Sequence, residues 1–214
     1  MTILPWSVLY HYVAPWLPGC PNVVMDDALR TAAIEYCEKT RAHKVYLTAI
    51  DSVVGVDAYV YTSPDPVNLN VYRADSVFFN GRQLDPCGLD ERDILYPNWM
   101  TTPAVPEKYS QLNERAISIV PSPNVAITGA IVVRAAMTPT TTAVGLDDTL
   151  AEFHGRFIAQ GALFTAMSME GKEWNNDAKA GAYKAMFDDS ISTQKIRAVM
   201  GFTRAAKRVR GSYF

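Results

Sequence analysis

The sequence predicts an α+β fold, in which a helical bundle built from both ends of the chain carries an inserted antiparallel β domain. Apolar residues recur at helical spacing near each end, whereas the middle of the chain alternates apolar and polar residues in short runs. Asn-Gly and proline residues separate those runs, as expected of turns. The predicted domains are an N-terminal arm and helix (1–42), a β domain (43–140), a helical hairpin (141–194) and a basic tail (195–214).

The N-terminal part predicts two helices of different character. Pro5–Ala14 is rich in aromatic residues and ends at a Pro and Gly cluster, so we expect a short helix that packs on its own core or contacts a neighbouring subunit. Pro21–Thr40 predicts a longer amphipathic helix, because Pro21 suits a first turn and Leu29, Ala33 and Tyr36 share one face.

After Arg41 the sequence period changes to that of strands. The predicted strands are Lys44–Ile50, Ala58–Thr62, Asn70–Phe79, Ala116–Val120 and Ile127–Met137. Asn80-Gly81 predicts a type I′ turn that joins Val77–Phe79 to Arg82–Leu84 in a hairpin. A second hairpin is expected at Leu112–Glu114, and Leu89–Tyr96 predicts a single helical turn that Pro97 stops.

The stretch 146–187 predicts a helical hairpin. Leu150, Phe153, Phe157 and Phe164 recur at helical spacing, with Gly161 and Ala162 on the same side. Because a mid-helix glycine costs about 1 kcal/mol relative to alanine, we expect another helix to pass close to Gly161. Gly171 is expected to close the first helix, Trp174 to occupy the corner, and Asn175–Asp177 to cap a second helix. The predicted helix-packing residues are Phe157, Gly161, Ala162, Gly171, Trp174 and Phe187.

The C-terminal tail carries an unbalanced positive charge. From Ser190 onward there are six basic residues and no acidic one, so the preceding part has a formal charge of −8 against −2 for the whole chain. Three interpretations remain: docking into an acidic groove of another protein, contact with DNA phosphates, or a solvated end. The interleaved apolar residues favour protein docking. The predicted docking residues are Lys195, Arg197, Arg204, Lys207, Arg208, Arg210, Tyr213 and Phe214.

The composition offers little catalytic chemistry. The chain has 214 residues, 49% hydrophobic and 20% charged, which is ordinary for a globular protein. Three cysteines and three histidines lack metal-ligand spacing, and no phosphate-binding glycine loop or nucleophile elbow occurs. No apolar run reaches the roughly 20 residues that span a bilayer, and the N-terminus lacks the basic start of a signal peptide. We therefore expect no enzyme, no cofactor, no metal and no membrane contact.

Two segments resemble the phage head-to-tail adaptor family, which includes the tail tubular protein A type of short-tailed phages. One is the helix CPxxxxxxALRxAAxEYCxxT (Cys20–Thr40). The other is an aromatic-Ile-Ala-x-Gly-Ala-Leu run (Phe157–Leu163) that a Gly-Lys-x-Trp-Asn turn (Gly171–Asn175) and Ala178 and Phe187 follow. The order helix, β insert, helical hairpin and basic tail is also that of the adaptors, so the resemblance covers nearly the full length.

The resemblance implies a structural virion protein, assembled in the host cytoplasm, that serves virion assembly and genome ejection. It implies a dodecameric ring between the portal protein and the tail nozzle protein, and a portal-binding C-terminal segment. Double-stranded DNA would pass through the ring channel without sequence specificity. Two rival functions are a carbohydrate-binding β module with exposed Trp99 or Tyr109 on one face, and a hydrolase with dispersed catalytic residues in a cleft.

Overall fold

The computed structural model describes residues 2–99 and 102–200. Within them the helices are α1 (Tyr10–Val13), α2 (Asn22–Thr40), α3 (Leu89–Leu95), α4 (Asp148–Met167) and α5 (Asp177–Met200). The strands are β1 (Ile3–Pro5), β2 (Lys44–Tyr46), β3 (Ala58–Val60), β4 (Leu69–Phe79), β5 (Arg82–Gln83), β6 (Asp85–Pro86), β7 (Lys108–Asn113), β8 (Ala116–Val120), β9 (Ile131–Pro139) and β10 (Gly145–Asp147). The α+β class predicted from the sequence is confirmed.

The chain divides into two compact units. Residues 1–42 and 147–214 form one, called here the helical unit, and residues 43–146 form the other, the β unit. In the helical unit α2, α4 and α5 pack against one another. Their buried side chains include Leu29 and Tyr36 of α2, Ile158 of α4, and Phe187 and Ile191 of α5.

The N-terminal arm is more irregular than the predicted single helix. A 3-10 turn at Trp6–Leu9 leads into α1, and a second 3-10 turn follows at Ala14–Trp16. Trp6, Leu9 and Val13 are buried, so the arm packs on its own unit, which is the first of the two alternatives expected from the sequence. The predicted short helix is confirmed in part: Trp6–Val13 is helical, but its first four residues form a 3-10 turn and Tyr10–Val13 is the α-helical part.

The β unit is built from two four-stranded sheets that share one core. Their strand orders are β2-β9-β4-β5 and β3-β8-β7-β6. Val77 and Ile131 from the first sheet and Tyr109 and Ile117 from the second belong to the same buried cluster. The predicted Asn80-Gly81 hairpin is confirmed: both residues have positive φ, 46° and 79°, as a type I′ turn requires, and β4 pairs with β5 across them.

One strand pair departs from the predicted antiparallel arrangement. β6 pairs with β7 in parallel, with Asp85 opposite Lys108 and Pro86 opposite Tyr109. A parallel pair needs a long crossover rather than a tight turn, and here the segment that contains α3 makes the crossover. The other pairs of the two sheets are antiparallel.

Candidate functional site

Gly161 lies at the point where α4 meets two other helices. A Cβ atom built at this position would lie 2.9 Å from the Cβ of Ala32 in α2, and 2.9 Å from two ring carbons of Phe187 in α5. Real Cβ atoms essentially never approach another atom this closely, so the glycine permits the crossing. The predicted close approach at Gly161 is confirmed, and two helices make it.

Aromatic rings surround this crossing. The ring of Tyr36 lies nearly parallel to that of Phe157, with their centroids 6.4 Å apart. The centroid of the Phe187 ring lies 6.3 Å from that of Tyr36. The Tyr36 hydroxyl is hydrogen-bonded to Nδ1 of His154 at 2.7 Å. Burial raises the pKa of Tyr36, so this hydroxyl stays protonated and uncharged. His154 thus serves packing and hydrogen bonding.

The predicted packing residues divide into two groups. Phe157, Gly161, Ala162 and Phe187 lie in the packed part of α4 and α5, whereas Gly171 and Trp174 lie in the connection between these helices. Phe153, which the periodicity placed with the packing residues, is 65% exposed. The buried face of α4 instead follows small side chains, because close helix crossings leave room for Ala and Gly rather than Phe. Its buried small residues are Ala151, Gly155, Ala159, Gly161, Ala162 and Ala166.

The prediction that Gly171 closes the first helix is wrong. α4 ends at Met167, with Ser168 as a right-handed C-cap, although Gly171 does adopt a left-handed φ of 71°. The terminal Met167 carbonyl accepts hydrogen bonds from the Asn175 side chain at 2.9 Å and from the Asn176 backbone at 3.0 Å. The connection therefore folds back and satisfies the helix end, which removes the need for a glycine cap.

The predicted cap of the second helix is confirmed at Asn176. Its side-chain oxygen accepts a hydrogen bond from the Lys179 backbone N–H at 3.0 Å, the pattern of an N-cap residue. At the other helix start, Asp147 accepts a hydrogen bond from the Thr149 N–H at 3.1 Å. Trp174 is half-buried in the connection, and its buried indole Nε1 has no hydrogen-bond partner among the described residues.

A polar contact between α4 and α5 was missed by sequence reasoning. The Ser190 hydroxyl shares its one proton between Oε1 of Gln160 at 3.0 Å and the Met186 carbonyl at 2.8 Å, and the Ser190 and Gln160 side chains are both buried. Ile191 and Gln194 are buried as well, so α5 still packs in the helical unit beyond Asp189. Ser190 and Gln194 follow Phe187 by three and seven residues, so they lie on the same helix face. Their polar side chains nevertheless gave no sign in the sequence that they are buried.

The docking residues predicted in the basic tail are described only in part. Lys195 and Arg197 lie in the last turns of α5, where both are exposed, and Ile196 between them is 58% exposed. The remaining predicted docking residues lie outside the described residues: Arg204, Lys207, Arg208, Arg210, Tyr213 and Phe214. The described start of the segment is thus an exposed helix surface that is basic and apolar.

The β unit contains a half-buried ion-pair cluster and several cavities. Asp75 in β4 lies 3.1 Å from Nζ of Lys44 and 3.0 Å from a guanidinium nitrogen of Arg134. Burial alone would raise the pKa of Asp75, but the hydrogen bonds and charges of Lys44 and Arg134 outweigh it and lower that pKa below its ordinary value. This cluster joins β2, β4 and β9, so its role is structural.

One cavity, of about 470 Å3, is lined by Tyr61, Asn70, Glu114 and Arg115 among others. Burial raises the pKa of Tyr61 to about 12, and the charge of Glu114 acts in the same direction. Glu114 is the one carboxylate among the described residues that line it, so the cavity lacks a paired acid and base. It offers no support for the hydrolase interpretation.

Trp99 and Tyr109 do not form the exposed aromatic face that the carbohydrate-binding interpretation assigns to them. Trp99 is 8% exposed and Tyr109 is 5% exposed, and the Tyr109 ring belongs to the shared core of the two sheets. In the described part of the chain, no group of three or more His, Cys, Asp and Glu side chains could hold a metal ion. Nor does any described helix have the length and apolar character that a membrane crossing requires.

A comparison with protein families identifies a matching family. The model of the family described as SU10 adaptor protein matches residues 6–210, which covers the N-terminal arm, both units and most of the basic tail. No match was found among curated proteins.

Proposed function

Because the chain belongs to the SU10 adaptor protein family, we propose that it is the head-to-tail adaptor of a phage and acts mechanically rather than as an enzyme. Membership of this family supports a structural role in the virion, together with other virion proteins. The observation that carries the proposal is the extent of the match, since it includes both units and the tail to Arg210.

The proposed assembly is a dodecameric ring between the portal protein and the tail nozzle protein. Copies would associate side by side through heterologous contacts that close into a ring. The ring would extend the DNA channel, and double-stranded DNA would slide through it without sequence-specific contacts. The net acidic body supports sliding, because basic walls bind phosphates tightly.

The proposed division of labour follows the domains expected from the sequence. With the boundary of the β unit at 146 rather than at the expected 140, residues 1–42 and 147–194 would form the helical body, residues 43–146 the inserted β domain, and residues 195–214 the portal-docking segment. Exposed Lys195, Ile196 and Arg197 at the end of α5 support the last assignment. Apolar anchors would supply most of the affinity for the portal, and peripheral charges would mainly set the association rate.

Electron microscopy of the purified protein mixed with its portal tests the proposal. We expect rings on the portal, and monomers or weak association without it. The test variant ends after Gln194, which removes the whole proposed docking segment, whereas an end after Asp189 would also remove buried Ser190, Ile191 and Gln194. This variant should keep its helical circular dichroism and lose portal attachment. A truncated chain that still forms rings on the portal with unchanged affinity would refute the docking role.

The salt dependence of portal attachment distinguishes the apolar docking residues from the basic ones. Replacing Tyr213 and Phe214 with alanine should weaken attachment even at high salt, because apolar contacts are not screened. Lys207→Ala should weaken attachment mainly at low salt. If both variants weakened attachment at low salt only, contact with DNA phosphates would be favoured instead.

A further inference from the structure

A concentrated acidic stretch surrounds α3 in the β unit. Between residues 85 and 107 the sequence has one basic residue and five acidic ones: Asp85, Asp90, Glu91, Asp93 and Glu107. The basic residue, Arg92, is already engaged: its Nε donates to Asp93 at 2.9 Å, and its guanidinium lies 4.1 Å from the centre of the Trp99 ring. Lys108, the next residue, pairs with Glu91 at 2.9 Å, and with both cations counted this region still has three more acidic than basic residues.

An open apolar groove of about 280 Å3 lies in the same stretch, and we call it the Trp99 groove. Leu95, Tyr96, Pro97, Trp99 and Pro121 are among the residues that line it. Leu95 is 49% exposed, although it is a large aliphatic side chain. No residue of α3 is buried, so the helix leaves its apolar side chains available at the surface.

Two carboxylates are fixed at this groove by hydrogen bonds from residues that line it. The Trp99 indole Nε1 donates to Asp93 at 3.1 Å, and the Tyr96 hydroxyl donates to Glu107 at 2.8 Å. Both carboxylates are exposed, and each has capacity to accept further hydrogen bonds. An apolar floor with acidic edges suits a ligand that alternates apolar and cationic side chains, and it repels nucleic acid.

We propose that the Trp99 groove binds the C-terminal segment, residues 201–214, of a second copy of this chain. That segment, GFTRAAKRVRGSYF, has four basic residues and no acidic one, with Phe202, Val209, Tyr213 and Phe214 between and after them. The aromatic and aliphatic side chains fill the groove, and the cations meet Asp93 and Glu107. Each copy carries one groove and one segment, so the contact is heterologous.

The binding itself does not depend on the proposed function, but its consequence for portal docking rests on it. The same segment is proposed to dock on the portal, so groove and portal compete for it. A weak contact between copies would hold the segment until the portal displaces it. The binding itself requires no portal and is measured without one.

The test is fluorescence anisotropy with a labelled synthetic peptide of residues 201–214, titrated with the full-length protein at low salt. Saturable binding is expected. Leu95→Ala and Glu107→Gln should each weaken it about fivefold to tenfold. The matched controls are Val60→Ala, which shortens an exposed aliphatic residue elsewhere in the β unit, and Glu114→Gln, which neutralises a carboxylate outside the Trp99 groove. Both controls should leave binding unchanged.

Three outcomes overturn the proposal. Equal binding of a scrambled peptide with the same charge would show unspecific attraction. Unchanged binding to both groove variants would place the contact elsewhere. Binding that appears only after residues 201–214 are deleted from the protein would show that each chain fills its own groove. None of these outcomes affects portal attachment, so a failure here is distinct from a failure of the adaptor function.

Discussion

Gly161 offers the sharpest test of how the helical unit packs. Substitution by alanine normally stabilises a helix by about 1 kcal/mol, because glycine is the more flexible residue. At this position the new Cβ would lie 2.9 Å from Ala32 and from the Phe187 ring, and neither neighbour is a flexible chain end. The helix preference and the packing of Gly161→Ala therefore act in opposite directions.

The magnitudes decide the outcome. Overpacking a close contact costs about 1–3 kcal/mol, which exceeds the gain in helix preference. We expect Gly161→Ala to destabilise by roughly 0–2 kcal/mol net, and Gly161→Leu to destabilise further. The matched control is Gly181→Ala in α5, where a Cβ atom would meet nothing within 4 Å. There the helix preference acts alone, and stabilisation by about 0.5–1 kcal/mol is expected.

Urea unfolding followed by circular dichroism at the helix band measures both variants. The free energy of unfolding should fall for Gly161→Ala and rise for Gly181→Ala. Phe187→Leu should reduce the cost of Gly161→Ala in a double-mutant cycle, because it removes the ring atoms that the new Cβ meets. If Gly161→Ala proves as stabilising as Gly181→Ala, the three helices do not meet at Gly161 as described.

Two further predictions concern polar contacts. Asp75→Asn should destabilise the β unit by about 1.5–3 kcal/mol at neutral pH, since hydrogen bonds to charged groups contribute this much. Because the folded pKa of Asp75 is lowered, its contribution is present above the unfolded pKa of about 4 and is lost as pH falls through the folded pKa. The free energies of unfolding of the wild type and of Asp75→Asn, measured in urea, should converge as the pH falls. A difference between them that does not change with pH would contradict the ion-pair account. Ser190→Ala should cost about 1 kcal/mol by leaving Gln160 without its donor, and Gln160→Leu in addition should recover part of it. Equal melting of the single and double variants would contradict this contact.

The sequence predicted local turns and caps well because each depends on a few neighbouring residues. Asn80-Gly81 requires positive φ at both positions, and few other residue pairs adopt it. Asn176 caps α5 with an oxygen that reaches the N–H three residues later. By contrast, Gly171 carries a cap signal of the same strength, yet α4 ends at Met167. The side chain of Asn175, eight residues away, completes that helix end, and local rules do not anticipate it.

Pairings between distant segments could not be predicted. The parallel pair of β6 and β7 depends on the path of the crossover that contains α3. Both strands are short, so their alternation of apolar and polar residues does not specify a partner strand. The burial of Trp99 and Tyr109 likewise depends on what the fold places over them. A large aromatic residue in a β domain suits a binding face or a core equally well, so its type does not distinguish them.

The sequence by itself determined that this chain is α+β, where its long helices and its first hairpin lie, and that a glycine in α4 requires a close neighbour. These properties follow from periodicity, turn chemistry and the cost of a glycine within a helix, which are local. The tertiary structure decided which neighbours those are, Ala32 and Phe187, and that α4 buries its small residues while Phe153 faces solvent. The physical reason is that an apolar residue gains by burial against any apolar partner, so the choice of partner depends on the shapes of all the elements together.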